Sequence, residues 1–172
     1  MKSRKLTIAL FIFYLLVLSS FVLFKTGLSF AFLNYRFSFE SSDIKRSINL
    51  IPFGAMLILN GAPSYNEVIY NGLVFAPFGI FVCMLRKEKS FAHLIAPIIL
   101  TSLLFEALQY ILAIGASDIT DVIANTLGGI AGAVIFFILH KSCKENVNKV
   151  INTAALVLTI VLALFIGMMR FS

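Results

Sequence analysis

From residue 6 to residue 24 the chain carries no charge, and four more strongly apolar stretches of similar length follow at 69–85, 91–114, 122–139 and 150–169. About 20 apolar residues cross the ~30 Å hydrocarbon core of a bilayer as a helix, and in hydrocarbon every backbone N–H and C=O must find its partner within the protein. Five such stretches use up most of a 172-residue chain. They predict an all-α, polytopic membrane bundle that forms one domain over residues 1–172, and they leave no room for a separate soluble domain. The composition agrees, since 60% of residues are hydrophobic where soluble domains sit near ~45–50%.

The first run is expected to be a retained span. A cleavable signal peptide is its rival, with Ser29 and Ala31 as a small-residue pair, but the run is longer than the ~7–15 residues of a signal core. Between the first two spans lies the shorter apolar patch 48–59, INLIPFGAMLIL. Twelve residues are too few to cross, and Asn49, Pro52 and Gly54 interrupt them, so the patch reads as a re-entrant or interfacial segment. Pro77 and Pro97 predict kinks in the second and third spans. Gly128 and Gly132, four apart on the fourth, allow a neighbouring helix to approach closely and offer a contact for a second copy of the chain.

Lys2, Arg4 and Lys5, then Arg86, Lys87 and Lys89, then Lys141, Lys144 and Lys149 put nine of the 14 Lys and Arg on one side. The turn before Asp118 has none. The positive-inside rule therefore predicts a cytoplasmic N-terminus and an extracellular C-terminus, with the acidic turn facing out. The net charge of +6 points to anionic lipid as a partner rather than to nucleic acid. Cys83 and Cys143 have no metal-ligand spacing and read as apolar fillers, and His93 and His140 as interfacial residues near span ends. No nucleophile, metalloprotease or phosphate-loop motif is present, so no cofactor and no bound metal are predicted, although Asp118 and Asp121 are hard oxygen donors of the kind that hold a divalent cation.

Against this apolar background the polar residues of 106–132 stand out. Glu106, Gln109 and Tyr110 are spaced to share one helix face, and Asp118, Asp121, Asn125, Gly128 and Gly132 form a second stripe whose far half has no side chains. Asp118 is placed to cap the fourth span. Helix rise sets Glu106 roughly 12 Å below the end of its helix and Asn125 about 10 Å below Asp118, similar depths, so that Glu106 is expected to bond Asn125, Asn71, Tyr110 or water. A carboxylate at that depth costs about 2.5–3.5 kcal/mol on insertion scales, which makes an intramembrane acid a functional candidate by default. The competing account is interhelical glue, for which Gln109 and Asn125 suffice. A short echo, Glu67-Val-Ile-Tyr-Asn71-Gly-Leu73 against Asp121-Val-Ile-Ala-Asn125-Thr-Leu127, puts an acid one turn above an Asn on two spans. Either chance or a duplicated half accounts for it.

Arg46-Ser-Ile-Asn49-Leu-Ile-Pro52-Phe53, then Asn71 with Phe75-Ala-Pro77-Phe-Gly79, then Glu106-Ala-Leu-Gln109, then Asp118-Ile-Thr-Asp121-Val-Ile-Ala-Asn125-Thr-Leu-Gly128-Gly129 occur in this order over about residues 10–135. As an ordered set they resemble the VanZ family. That resemblance implies a membrane protein of Gram-positive bacteria that lowers sensitivity to teicoplanin and related lipid-tailed glycopeptides. The chain has Thr120 where many relatives have a further Asp, and no Arg shortly before Asp118, so only two carboxylates carry over at this turn. The residues themselves add an outward-facing pocket of Asn71, Glu106, Gln109, Asp118, Asp121 and Asn125, joined by Arg46 and Asn49 from the patch; Glu106, Asp118 and Asp121 are the candidates if the site is catalytic. Three mechanisms stay open: engagement of a lipid-linked cell-wall component or of the antibiotic's acyl tail, an enzyme acting on a lipid phosphate, and a small lipid transporter or flippase. Whether the protein is an enzyme is left open.

Overall fold

Long uncharged runs with no solvent for their backbone have one economical solution, and the chain takes it. A computed structural model describes residues 2–23, 47–54, 58–59, 62–86, 90–112 and 117–171. Five long helices dominate: α1 (Lys2–Leu23), α2 (Asn66–Leu85), α3 (Phe91–Leu112), α4 (Ile119–Cys143) and α5 (Val147–Phe171). Four two-residue strands complete the order: β1 (Ile48–Asn49), β2 (Ile58–Leu59) and β3 (Ala62–Pro63) before α2, and β4 (Ser117–Asp118) before α4. β2 and β3 form a small antiparallel hairpin, whereas β1 pairs in parallel with β4, Ile48 opposite Ser117 and Asn49 opposite Asp118.

Among the described residues four stretches are long and apolar enough to cross a membrane, namely Arg4–Leu23, Asn66–Leu85, Phe91–Leu112 and Ile119–Val161. The last, at 43 residues, would reach some ~65 Å as a straight helix, about twice the hydrocarbon core. The chain divides it at a single 3-10 turn, Lys144–Asn146, where Lys144 adopts φ 48°. The loop expected between spans four and five is thus reduced to a tight corner, after which Val147, Ile151 and Asn152 turn a buried stripe back onto the bundle. There Thr7 of α1 and Asn152 of α5 exchange hydrogen bonds at 3.1 and 2.8 Å, fully buried. Asn152 thus joins the first helix to the last.

Large apolar side chains face outward on every helix, including Leu16, Leu100, Leu127, Ile138 and Leu158, each 60% or more exposed. In water such a surface would aggregate; it matches lipid. Inside, Leu18, Phe75, Ile98 and Phe105 form the core. Phe75 and Phe105 meet edge to face at 6.2 Å, an arrangement that favours the ring quadrupoles. Tyr14 of α1 donates to the Val74 carbonyl at 2.7 Å. Pro77 and Pro97 lie inside helices that continue across them.

The tightest contact is between α2 and α4. A Cβ placed on Gly128 would run into the Gly72 carbonyl, one on Gly132 into the Ala76 carbonyl, and one on Gly79 into the Gly129 carbonyl. The helices run parallel, since rising numbers on α2 meet rising numbers on α4. The close approach expected at Gly128 and Gly132 is therefore made within the chain, and the face that the sequence offered to a second copy is filled by α2. Gly132→Ala should force the pair apart at a cost of about 1–3 kcal/mol by overpacking, read as a clear drop in thermal midpoint of the detergent-solubilised protein. Gly72→Ala, whose new Cβ would make ordinary contacts with the Ala124 carbonyl at 3.5 Å and Gly128 Cα at 4.0 Å, should leave that midpoint nearly unchanged.

Candidate functional site

α2 and α4 both begin at the end of the bundle that carries Glu67, Asp118 and Asp121, here the acidic end. At this end α4 starts lower than α3 stops. The Asp118 backbone N–H donates to Glu106 Oε2 at 2.8 Å, yet α3 continues from Glu106 to Leu112, roughly 9 Å further along its axis. The extended segment before α4 thus dips to within one side chain's reach of Glu106. Non-helical backbone at such depth requires internal partners, and each is present.

Asp118 is the N-cap of α4, as its position in the sequence predicted: φ is −125° and its side chain accepts from the Thr120 N–H at 2.7 Å. Its other oxygen accepts from Asn49 Nδ2 at 3.0 Å. Ser117 N–H donates to the Ser47 carbonyl at 3.0 Å, and Phe53 N–H to Thr120 Oγ1 at 2.9 Å. The patch 48–59 is therefore no helix where it is described. It is a strand, β1, followed by a turn over residues 51–54 closed by Gly54 N–H on the Ile51 carbonyl at 3.0 Å. Pro52 takes the second position and Phe53 the third, at φ 61°, where glycine or asparagine is the usual choice. A bulky residue persists in that conformation only when its surroundings hold it there; the bond to Thr120 does so.

The remaining polar residues lie deeper. Asn125 donates to Ser102 Oγ at 2.9 Å, not to Glu106. Ser102 sits about one turn below Glu106 on α3 and Asn125 about two turns below Asp118 on α4; α4 starts at the level of Glu106 instead of above it, so Asn125 lies deeper than Glu106, which corrects the equal depths expected from helix rise. Ser102 went unnoticed in the sequence, although it precedes Glu106 by four residues and so shares its face. Gln109 donates to the Val22 carbonyl at 2.7 Å, tying α3 to the end of α1. Tyr110 does not belong with them: it is exposed at the bundle surface. Asn71 is partly buried on α2 and takes part in none of these bonds, although its neighbour Gly72 packs against Ala124, next to Asn125. Glu67 is exposed. Arg46 lies outside the described residues.

Glu106, Gln109, Asp121 and Asn125 are all at most 4% exposed. Gln109 Oε1 and Asn125 Oδ1 are buried acceptors with no hydrogen-bond partner among the described residues. An acceptor without a donor in so apolar a setting costs about 1–3 kcal/mol. Among the described residues no three His, Cys, Asp or Glu side chains gather as a metal site would require.

Fold and site together define a polytopic α-helical membrane protein with a buried acid cluster at one end, where a strand–turn segment closes over a helix N-terminus. The sequence model of the VanZ/LLP1 family matches residues 11–140, and the chain is 35% identical over 153 residues to the protein VanZ of Enterococcus faecium, covering 88% of this chain and 87% of that one. The protein belongs to the VanZ family. No solved structure matches it.

The bonds to Asn49 and Thr120 should hold the 47–54 segment in place. In Asn49→Ala/Thr120→Val, amide hydrogen exchange across residues 47–54 should accelerate by at least about tenfold, two hydrogen bonds of ~0.5–1.5 kcal/mol each being lost, while exchange in the middle of α3 stays at the wild-type rate.

Proposed function

We propose that this VanZ-family protein lowers sensitivity to teicoplanin and related lipid-tailed glycopeptides by engaging, at the outer leaflet, a lipid-linked envelope component or the antibiotic's own acyl tail. The observation that carries this reading is the pair of buried acceptors Gln109 Oε1 and Asn125 Oδ1, which no described residue fills, in a cluster that also holds the buried side chains of Glu106 and Asp121. Such a set accepts hydroxyl or amide donors, which sugars and peptides supply. Beside it the 47–54 segment exposes Ile48, Leu50, Ile51 and Phe53, an apolar surface suited to an acyl chain. Polar acceptors next to exposed apolar residues fit a ligand with a polar head and a lipid tail. In this reading Asn49, Asn71 and Asp118 border the site, and Arg46, outside the described residues, is the sequence's candidate for meeting a phosphate.

The two buried carboxylates also favour a second reading, an enzyme in which Glu106 or Asp121 moves a proton on a lipid phosphate or lipid-linked intermediate. The parallel pairing of α2 with α4, which sets the echoed segments side by side, is the feature a small lipid transporter would use.

Expression in a sensitive host separates these. Wild type should raise the inhibitory concentration of teicoplanin several-fold with little effect on vancomycin, and Glu106→Gln, Asp121→Asn and Arg46→Ala should lose that protection at normal membrane abundance. With envelope lipids profiled in the same cells, loss without any change in lipid composition fits binding; a lipid species that changes with wild type and reverts in the mutants fits the enzyme. Full protection by all three variants would reduce the cluster to interhelical glue.

The reading requires the acidic end to face outward, with the N-terminus cytoplasmic and the C-terminus extracellular. In a Cys143→Ser background, Ile51→Cys should react with a membrane-impermeant maleimide in intact cells, and Lys141→Cys only after permeabilisation.

A further inference from the structure

At the opposite end of the bundle, where α2 and α4 stop and α5 begins, a cleft of about 270 Å³ opens between the three helices. Its floor is apolar and buried: Cys83, Leu94, Phe136 and Val147. Its rim is exposed and charged, with Arg86 from the end of α2 and Lys144, Glu145 and His140 from the α4–α5 corner. His140 stacks flat on Phe136, ring centroids 6.0 Å apart at 6°, which holds the imidazole along one wall. Asn148 also lines the cleft, and its Oδ1 is buried with no hydrogen-bond partner among the described residues. None of these residues belongs to the acid cluster.

We infer that this cleft binds the headgroup of an anionic glycerophospholipid whose phosphodiester bears a hydroxylated substituent. Two cations against one carboxylate leave one net positive charge on the rim with His140 neutral, which matches a single phosphodiester and would be left uncompensated by a zwitterionic headgroup. Arg86 and Lys144 reach the phosphate from two helices, and charge-assisted bonds of this kind are the strong ones. The unfilled Asn148 acceptor and the Glu145 carboxylate require donors, which the headgroup hydroxyls provide. The apolar floor lies on the hydrocarbon side, where it accepts the first methylenes of the acyl chains; a free phosphate would leave that surface empty. With the N-terminus cytoplasmic, this is the inner leaflet. The bound lipid would bridge the ends of α2, α4 and α5, and the tight Lys144 corner would serve to present its side chain to that bridge.

Native mass spectrometry of the full-length protein in detergent, titrated with phosphatidylglycerol, phosphatidylcholine and soluble glycerol 3-phosphate, tests the assignment. Phosphatidylglycerol should be retained preferentially, and Arg86→Gln/Lys144→Gln should weaken retention by at least about tenfold. The control Lys141→Gln/Lys149→Gln removes two exposed cations that do not line the cleft, and should bind as wild type does. Asn148→Leu, which abolishes the acceptor, should reduce the preference for phosphatidylglycerol over phosphatidylmethanol, an anionic phosphodiester whose substituent has no hydroxyl. Equal loss in both charge doubles would mean diffuse attraction to basic residues, and overturns the site. Full competition by glycerol 3-phosphate would make it a pocket for soluble phosphate and overturns the lipid assignment, as would equal retention of phosphatidylcholine.

Discussion

Everything at the acidic end depends on how closely α2 and α4 approach. Hydrocarbon gives no hydrophobic drive to pull two apolar helices together, so their association relies on contact area and on hydrogen bonds between them. Gly79, Gly128 and Gly132 remove the side chains that would hold the backbones apart. With α2 and α4 in backbone contact, α3 and α1 pack around the pair, and the polar residues of α3 and α4 are forced to face inward at the levels where they are found. A wider spacing would give Glu106 and Asn125 access to lipid or to bulk water, and the cluster would lose the seclusion that makes its acceptors matter.

Glu106 then serves two ends at once. One of its oxygens receives the Asp118 backbone N–H, which fixes where α4 starts. That bond positions Asp118 to cap α4 and to hold Asn49, and through Thr120 it positions Phe53 in its left-handed conformation. The glue account and the functional account of Glu106 are therefore not exclusive: a residue that fixes the start of α4 can also serve the proposed site.

The helices were legible because the period and length of apolar runs are local properties of the chain. The predicted spans at 69–85 and 122–139 fall within α2 and α4, and Asp118 could be recognised as a cap from its place before the run. What stayed hidden was which partner each polar group takes. The face shared by Ser102, Glu106 and Gln109 follows from spacing, but their separate partners on α4, at the dipping turn and on α1 depend on helix levels that no spacing within one helix reveals. Thr7 and Asn152 lie 145 residues apart, so nothing local connects them. Tyr110 illustrates the opposite error: a polar aromatic four residues from a buried acid shares its helix face on paper but falls at the edge of the bundle, where its amphipathic ring is at home. The pairing of Ile48–Asn49 as a strand depends on β4, a partner almost 70 residues away.

The two ends of the bundle pose opposite chemical problems, and the chain solves each with its backbone. At the acidic end the strand pair β1/β4 brings extra peptide groups down into the bundle, and their N–H donors draw acceptor side chains inward; Glu106, Asp118 and Thr120 follow from that choice as much as from any ligand. At the basic end the chain turns from α4 into α5 in three residues, which leaves the helix ends too close to fill with loop and too far apart to seal, and a cleft with cations on its rim results. On the two proposals above, acceptors buried among apolar helices would favour ligands that bring donors and a tail, and cations above an apolar floor would favour phosphate carried on acyl chains. Both describe amphiphiles, one for each end of the bundle, the class of ligand that suits a small bundle with little polar surface of its own.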